Sequence, residues 1–282
     1  MQRSLKVKLK ENPVAKVYAI TNQKGGVGKT TTSVNLAASL AATKRRILLI
    51  DLDPQGNATM GCGVDKSSVE YSVYDVLVAN KPISECIVDA PECGFSILPS
   101  NQDLTAAEVE LINEIGREFR LREALNAVAD QYDYVLIDCP PSLNMLTVNA
   151  LAAATGVIIP MQCEYYALEG LSALINTVNR VKQLINPALE IEGILRTMYD
   201  GRNGLTNQVT DELRRHFGNK VYSTVIPRNV RLAEAPSHGL PILFYDKQSK
   251  GALAYLALAG EVLRRATAQD TSANTQAEQI HG

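Results

Sequence analysis

A glycine-rich stretch with two lysines, TNQKGGVGKTTT at residues 21–32, has the composition of a phosphate-binding loop. Glycine lets the backbone wrap a phosphate so that its N–H groups point inward, and a helix that starts directly afterwards adds the positive end of its dipole. The residues that we expect to contact a nucleotide here are Lys24, Gly25, Gly26, Val27, Gly28, Lys29, Thr30 and Thr31.

Three side chains of this loop have distinct expected tasks. Lys29 is placed to reach the β- and γ-phosphates, the Thr30 hydroxyl to ligate Mg²⁺, and Thr31 to meet the α-phosphate. The usual pattern G-x-x-x-x-G-K-S/T is not complete, because Gln23 stands where its first glycine belongs. The additional lysine, Lys24, leaves the loop on its outer side, where it cannot easily serve its own γ-phosphate.

Two aspartate sites follow predicted strands. LLIDLDPQGN places Asp51 and Asp53 at the C-terminal end of one strand, and YVLIDCPPS places Asp138 at the end of another. Doubly wound sheets bind their ligands at this edge. Asp138 is the natural outer-shell partner of Mg²⁺, and Asp53 begins a loop that could sense the γ-phosphate and position water. Cys139 stands where many fast ATPases carry a glutamate base, which predicts slow hydrolysis.

Apolar strand-like runs alternate with helical patterns over most of the chain. The predicted strands cover residues 16–21, 46–51, 134–139, 156–161, 191–197 and 220–226. The predicted helices cover residues 30–43, 103–130, 143–154, 167–185, 205–217 and 249–266. Repeated strand–helix–strand units predict an α/β fold with a mostly parallel, doubly wound sheet and helices on both faces.

Composition predicts one globular domain with two different ends. Of the 282 residues, 46% are hydrophobic and 21% are charged, which is ordinary for a globular protein. We expect a basic N-terminal arm at residues 1–14, a single ATPase domain at 15–267 and a disordered polar tail at 268–282. The five scattered cysteines and the absence of an apolar signal or membrane segment predict a cytoplasmic protein with reduced thiols.

Charge is distributed unevenly along the chain. The net charge of −2 argues against a protein that coats nucleic acid with its whole surface. Residues 201–265, however, carry ten Lys/Arg against five acids, a local charge of +5. Such asymmetry permits one basic face on an acidic body.

Taken together, these motifs resemble the deviant Walker A family of P-loop NTPases, whose loop reads K-G-G-x-G-K-S/T, and within it the ParA/Soj partition ATPases. The resemblance covers about residues 15–267 and rests on long motifs in the same order. They are NQKGGVGKTTTSVNLAASLA, RRILLIDLDPQGNAT, YDYVLIDCPPSLNMLTVNAL, IPMQCEYYALEGL and TVIPRNVRLAEAPSHGLPILFYDKQSKGALAYLALAGE.

The resemblance implies a homodimer that sandwiches two ATP molecules with Mg²⁺. Lys24 would cross into the neighbouring subunit's site and stabilise charge in the transition state, as arginine fingers do. Asp53 would position the attacking water, with Asp51 and Asp138 near the metal. The adenine would lie by Thr197, Met198, Pro227, Arg228 and Asn229.

The resemblance also implies non-specific binding of double-stranded DNA by the ATP-bound dimer. The arginines responsible in similar proteins match Arg202 and Arg231, and Lys247 and Lys250 are weaker candidates for the same face. All four lie in the basic segment 201–265. Because such contacts go to phosphates, DNA binding should be salt-sensitive and independent of sequence.

The implied function is segregation of a chromosome or plasmid by a cytoplasmic, nucleoid-associated ATPase. A ParB/Spo0J-like centromere-binding protein would stimulate its slow hydrolysis and release it from DNA. Neither an operator-binding helix-turn-helix domain nor a membrane-binding helix is expected. One alternative is a positioning ATPase of the same fold whose cargo is not DNA. Another, a cluster-carrying reductase, would need paired cysteines, and the place of Cys139 does not match that pattern.

Overall fold

Eight strands form one sheet in the computed structural model, which describes the backbone of residues 15–281 and the side chains of residues 15–268. The strands are β1 Lys16–Ile20, β2 Ile47–Asp51, β3 Val88–Ala90, β4 Phe95–Leu98, β5 Tyr134–Asp138, β6 Gly156–Gln162, β7 Glu190–Tyr199 and β8 Val221–Pro227. Their order across the sheet is β3-β4-β2-β5-β1-β6-β7-β8. All neighbouring pairs are parallel except β3 and β4.

Helices cover both faces of the sheet. Within the described range they are α1 Lys29–Ala41, α2 Asn57–Gly61, α3 Val73–Leu77, α4 Ile83–Cys86, α5 Leu104–Glu110, α6 Arg120–Asn126, α7 Met145–Ala153, α8 Ala167–Leu184, α9 Gly204–Phe217, α10 Val230–Glu234, α11 Ile242–Tyr245 and α12 Lys250–His281. One apolar cluster packs α3 to α9 against the first face, and a second packs α1, α2 and α10 to α12 against the other. The predicted doubly wound α/β fold is therefore confirmed.

Strand β1 lies in the middle of the sheet, between β5 and β6. The chain winds outward from it in both directions, so a crevice opens at the carboxyl ends of the central strands. In this register Ile20, the last residue of β1, pairs with Asp138, which also pairs with Asp51 of β2. The fold thus brings the two predicted aspartate sites to the same level beside the glycine-rich loop.

The six predicted strands are confirmed, whereas the hairpin of β3 and β4 was not predicted. Both strands are too short for alternation to be visible, and Gly94, with φ 76°, makes the turn between them. The predicted helix over 103–130 is wrong as a single element. It is divided into α5, two short 3₁₀ turns, α6 and a third 3₁₀ turn that begins at Ala129, and the chain changes direction at Gly116, with φ 69°.

The two ends of the chain differ in what the structure describes. The predicted basic arm at 1–14 lies outside the described residues. Helix α12 continues to His281, beyond the predicted end at 266, and no glycine or proline between residues 261 and 281 interrupts it. The domain limits at 15–267 and the disorder of 268–282 stay predictions. None of the helices within 15–281 is both long and apolar enough to cross a membrane.

Candidate functional site

The loop between β1 and α1 forms a cradle of backbone at the carboxyl edge of the sheet. Gly26 and Gly28 have φ 71° and 87°, a left-handed conformation that glycine adopts without strain. Gly28 O accepts the first hydrogen bond of α1, from Thr32 N at 2.9 Å. Thr197 Oγ1 donates to Val27 O at 2.8 Å, which ties the cradle to the end of β7.

Lys29 is the buried cation of this cradle. It is the first residue of α1, it is 7% exposed, and its Nζ donates to Lys24 O at 3.3 Å. Burial lowers its pKa, and the negative charge of Asp138 is the main effect that opposes this. The Lys29 ammonium has lost part of its hydration, and the charge of Asp138 compensates for this only in part. It therefore favours an anionic ligand, which agrees with the predicted binding of phosphate.

Asp138 is a completely buried carboxyl at the end of β5. Its Oδ1 accepts from Ser33 Oγ at 2.7 Å, while its Oδ2 is buried without a hydrogen-bond partner among the described side chains. The Thr30 side chain lies close enough to affect its pKa. Oxygen ligands and carboxylates are what Mg²⁺ prefers, so Thr30 and Asp138 fit the metal predicted here. Their role as its ligands stays a prediction.

The raised pKa of Asp138 predicts pH-dependent stability of the metal-free protein. Burial and then the charge of Asp51 raise the pKa of Asp138 from 3.8 to about 7, so the folded chain holds a proton that the unfolded chain has lost. This stabilisation is complete below about pH 4 and disappears as the pH rises through about 7. In magnesium-free buffer, urea unfolding should give a free energy that falls by roughly 2 kcal/mol between about pH 5 and about pH 8.

The variant Asp138→Asn removes this titrating group and should abolish the slope above about pH 6, while Asp51, whose pKa is also raised, keeps part of the slope at lower pH. Asp211→Asn, on the exposed face of α9, is the control and should keep it. If D138N unfolds with the full slope of the wild type, a different group binds the proton.

Asp51 holds the loop that follows β2. Its Oδ2 accepts from both the backbone N and the Oγ1 of Thr59 at 2.8 Å, and its Oδ1 accepts from Asp53 N at 3.1 Å. Burial raises its pKa to about 6, while these hydrogen bonds oppose the shift. The geometry therefore gives Asp51 a structural task besides its predicted place near the metal.

Asp53 is half-buried and keeps one carboxylate oxygen available. Its Oδ1 accepts from Gln55 N at 2.9 Å, and no hydrogen bond to its Oδ2 is found among the described residues. Its charge acts on the pKa of both Lys29 and Asp138, so it lies beside the cradle. This is where a carboxylate that positions water would have to be.

A cavity of about 330 Å³ opens next to the cradle, between the ends of β7 and β8. Its size and its mostly apolar walls suit a nucleotide base. All five residues predicted to lie by the adenine line it. They are Thr197, Met198, Pro227, Arg228 and Asn229, together with Gly28, Thr31, Ile226, Val230, Leu232, Ala233 and Tyr255.

Lys24 differs from Lys29 in being half-exposed. Its Nζ contacts Glu164 Oε2 at 2.5 Å, with 49% and 51% of the two side chains exposed. Exposed ion pairs contribute about 0–1 kcal/mol, so this one exchanges easily for another partner. The ammonium of Lys24 is therefore engaged outside the cradle and free to leave.

The predicted DNA-binding residues follow the carboxyl ends of β7 and β8, on the side of the nucleotide site. Arg202 makes a bidentate pair with Asp200, Nε to Oδ1 at 2.9 Å and Nη2 to Oδ2 at 2.8 Å. Arg231 Nη1 contacts Glu234 Oε2 at 2.8 Å, and its Nε lies 3.6 Å from Asp246. Lys247 and Lys250 are exposed.

Three side chains at this site were missed by the motif analysis: Ser33, Thr59 and Glu164. Ser33 lies four residues after Lys29, on the same face of α1, and this spacing could have identified it. No local signal marks Thr59 or Glu164, because their partners are eight and 140 residues away.

Comparison with known proteins places this chain among P-loop ATPases. A family profile described as an AAA domain matches residues 15–191. The sporulation initiation inhibitor protein Soj of Bacillus subtilis is 56% identical over 249 residues, which are 88% of this chain and 98% of that protein. The chromosome partitioning protein ParA of Myxococcus xanthus is 53% identical over 254 residues, 90% of each chain.

A solved structure with the same fold holds the predicted cofactors. It is cobyrinic acid a,c-diamide synthase from Mycobacterium smegmatis with a bound ATP analogue and magnesium. The TM-score is 0.80 and the identity 38%, over 90% of this chain and 96% of that one. The sequence identity of this chain to the two partitioning proteins is higher than its identity to the synthase, over a similar share of the chain.

Proposed function

Because this chain belongs to the family of ParA and Soj partitioning ATPases, we propose that it segregates a chromosome or plasmid by an ATP-dependent cycle of DNA binding. ATP joins two copies face to face, and the dimer binds double-stranded DNA without sequence preference. Hydrolysis separates the copies and releases the DNA. The observation that carries the proposal is the pair of lysines, one buried in the cradle and one engaged outside it.

ATP is bound by the cradle and the neighbouring cavity. Backbone N–H groups of the loop and the Lys29 ammonium hold the phosphates, and the cavity between β7 and β8 takes the base. Thr30 and Asp138 would hold Mg²⁺, partly through water and with Asp51 nearby, and the ion would supply positive charge to neutralise the phosphates. Asp53 accepts a hydrogen bond from the attacking water and aligns it with the γ-phosphate.

Slow hydrolysis is supported by the residue after Asp138. Cys139 is 1% exposed, and burial raises the pKa of its thiol well above the ordinary value, so it stays protonated and cannot serve as a base. Turnover then depends on Asp53 and on a lysine from the second copy. A ParB/Spo0J-like protein at the centromere stimulates this step in a cytoplasmic, nucleoid-bound cycle.

The dimer is the part of the proposal that centrifugation tests most directly. Asp53→Asn, saturated with Mg·ATP, should sediment as a dimer, and the same protein with Mg·ADP as a monomer. Only monomers under both conditions would refute the sandwich and, with it, the ATP-gated DNA surface.

DNA binding should depend on Arg231 through phosphate contacts. The variant Arg231→Ala should weaken ATP-dependent retention on DNA equally for all sequences. It should also lower the slope of log affinity against log salt by about 1 for each phosphate that is no longer neutralised. Arg45→Ala, an exposed arginine before the start of β2, is the matched control. Fluorescence anisotropy at about 50 and about 200 mM salt gives the slope.

Two results would contradict the DNA surface. An R231A protein with the same salt slope as R45A would exclude Arg231 from the phosphate contacts. If the wild-type dimer does not bind DNA at either salt concentration, the alternative is favoured, a positioning ATPase whose cargo is not DNA.

A further inference from the structure

A buried arginine in β7 directly precedes Thr197 and Met198, which are predicted to contact the adenine. Arg196 is 2% exposed, and no carboxylate contacts it among the described residues. Its Nη2 instead donates to Tyr222 O at 2.9 Å and Ser223 O at 3.2 Å, both in β8. Fully buried arginines are rare unless they are paired with an acid. This one instead binds backbone carbonyl groups of β8.

The same part of β8 is held from its other side by α12. Glu261 is 6% exposed and accepts from Ser223 N at 2.8 Å, Thr224 N at 2.9 Å and Thr224 Oγ1 at 2.8 Å. Arg265 Nη2 donates to the same carboxylate at 2.9 Å. Residues 222–224 are therefore clamped between a buried cation and a buried anion.

The clamped residues form an irregularity in the sheet. Ile194 pairs with Val221 and Arg196 pairs with Val225. An advance of four residues along β8 therefore lies opposite an advance of two residues along β7. A second register shift follows after Arg196, where Met198 has φ 47°, an unusual value for a residue with a side chain. Bulges next to binding sites change the direction of the residues that follow them.

Both irregularities lead into the walls of the base cavity. Thr197 and Met198 form the wall from β7, and residues 226–229 form the wall from β8. The geometry points to Arg196 and Glu261 as positioning residues of this cavity, which fix one wall against the other without touching the nucleotide. The inference deepens the proposed function and rests on it, because it needs ATP to occupy this cavity.

The test compares a ligand that has a base with one that lacks it. Arg196→Met should bind Mg·ATP about tenfold more weakly, because hydrogen bonds from a charged donor to two carbonyl groups are lost. Its affinity for inorganic tripolyphosphate, which needs only the cradle, should stay within about twofold of wild type, as should turnover at saturating ATP. Calorimetry gives both affinities, and phosphate release gives the turnover.

Further variants separate positioning from general destabilisation. Arg196→Lys keeps a buried cation but loses the planar fork of guanidinium donors, so it should restore only part of the ATP affinity. Glu261→Ala removes the carboxylate that holds β8 from the side of α12. It tests the positioning role if R196M does not fold. Arg120→Met is the matched control, since Arg120 is a mostly buried arginine of α6, paired with Glu114, and α6 does not line the base cavity.

The outcomes distinguish this inference from the proposed function. If the wild type does not bind Mg·ATP, the proposed function fails first. If the wild type binds and folded R196M or E261A binds ATP as tightly as R120M does, the positioning role is refuted. An equal loss for ATP and tripolyphosphate also refutes it, because the effect would then act on the cradle.

Discussion

Replacing Lys24 with alanine is expected to leave Mg·ATP affinity within about threefold of wild type and to lower ATP turnover about a thousandfold. Lys29 is the lysine buried in the cradle, whereas the Lys24 ammonium contacts Glu164 outside it. Removing Lys24 therefore takes away little ground-state binding. In the proposed mechanism it removes a charge that acts only when negative charge develops on the transferred phosphoryl group.

The matched control is Lys182→Ala. Lys182 is also an exposed lysine in an ion pair, with Glu190, but it lies at the C-terminal end of α8, away from the nucleotide edge. Its loss should change turnover by less than about twofold. Turnover of K24A equal to that of K182A, measured at saturating Mg·ATP with DNA present, would refute the catalytic role of Lys24.

The fold was predictable because each signal was local. Short Val/Ile/Leu runs such as YVLID and ILLID mark buried parallel strands, and each carries its aspartate at the carboxyl end. The register that places Asp51 beside Asp138 follows from these strands being neighbours. The β3–β4 hairpin could not be seen in the same way, since strands of three and four residues carry too little pattern.

Contacts between distant parts of the chain were not predictable. The cradle residues follow from glycine conformations and spacing, which a sequence displays directly. The pairing of Lys24 with Glu164 depends on where β6 ends relative to β1, and the clamp on residues 222–224 depends on the packing of α12. Neither leaves a periodic signal, so both become visible only when the elements are assembled.

The basic segment 201–265 shows how a linear charge count can mislead. Lys220, Arg264 and Arg265 line a cavity at the start of β8, whereas Arg228 and Arg231 follow its end. A strand of seven residues is about 23 Å long, so the positive charge is divided between two ends of the molecule. The segment therefore contributes to two separate clusters, and only the cluster after the end of β8 lies beside the base cavity.

Asp53→Asn is expected to lower ATP turnover about a hundredfold or more while ATP-dependent dimers and DNA retention persist. The substitution is nearly isosteric, and the new side-chain oxygen can still accept from Gln55 N, so the loop should keep its shape. What is lost is the carboxylate charge beside Lys29, which in the proposed mechanism aligns the attacking water. Asp65→Asn, which caps a nearby turn through Ser67 N, is the control and should retain turnover.

Mixing the two inactive proteins tests whether the second copy completes the site. In a mixed dimer of K24A and D53N, the site of the K24A subunit has its own intact Asp53 and receives an intact Lys24 from the D53N subunit. The other site carries both substitutions. If Lys24 acts across the interface, an equal mixture should recover about a quarter of wild-type turnover, since half of the dimers are mixed and each has one active site. If Lys24 acts within its own subunit, neither site is intact and no activity returns. That outcome would leave the catalytic lysine in place but remove the physical reason for hydrolysis to require a dimer.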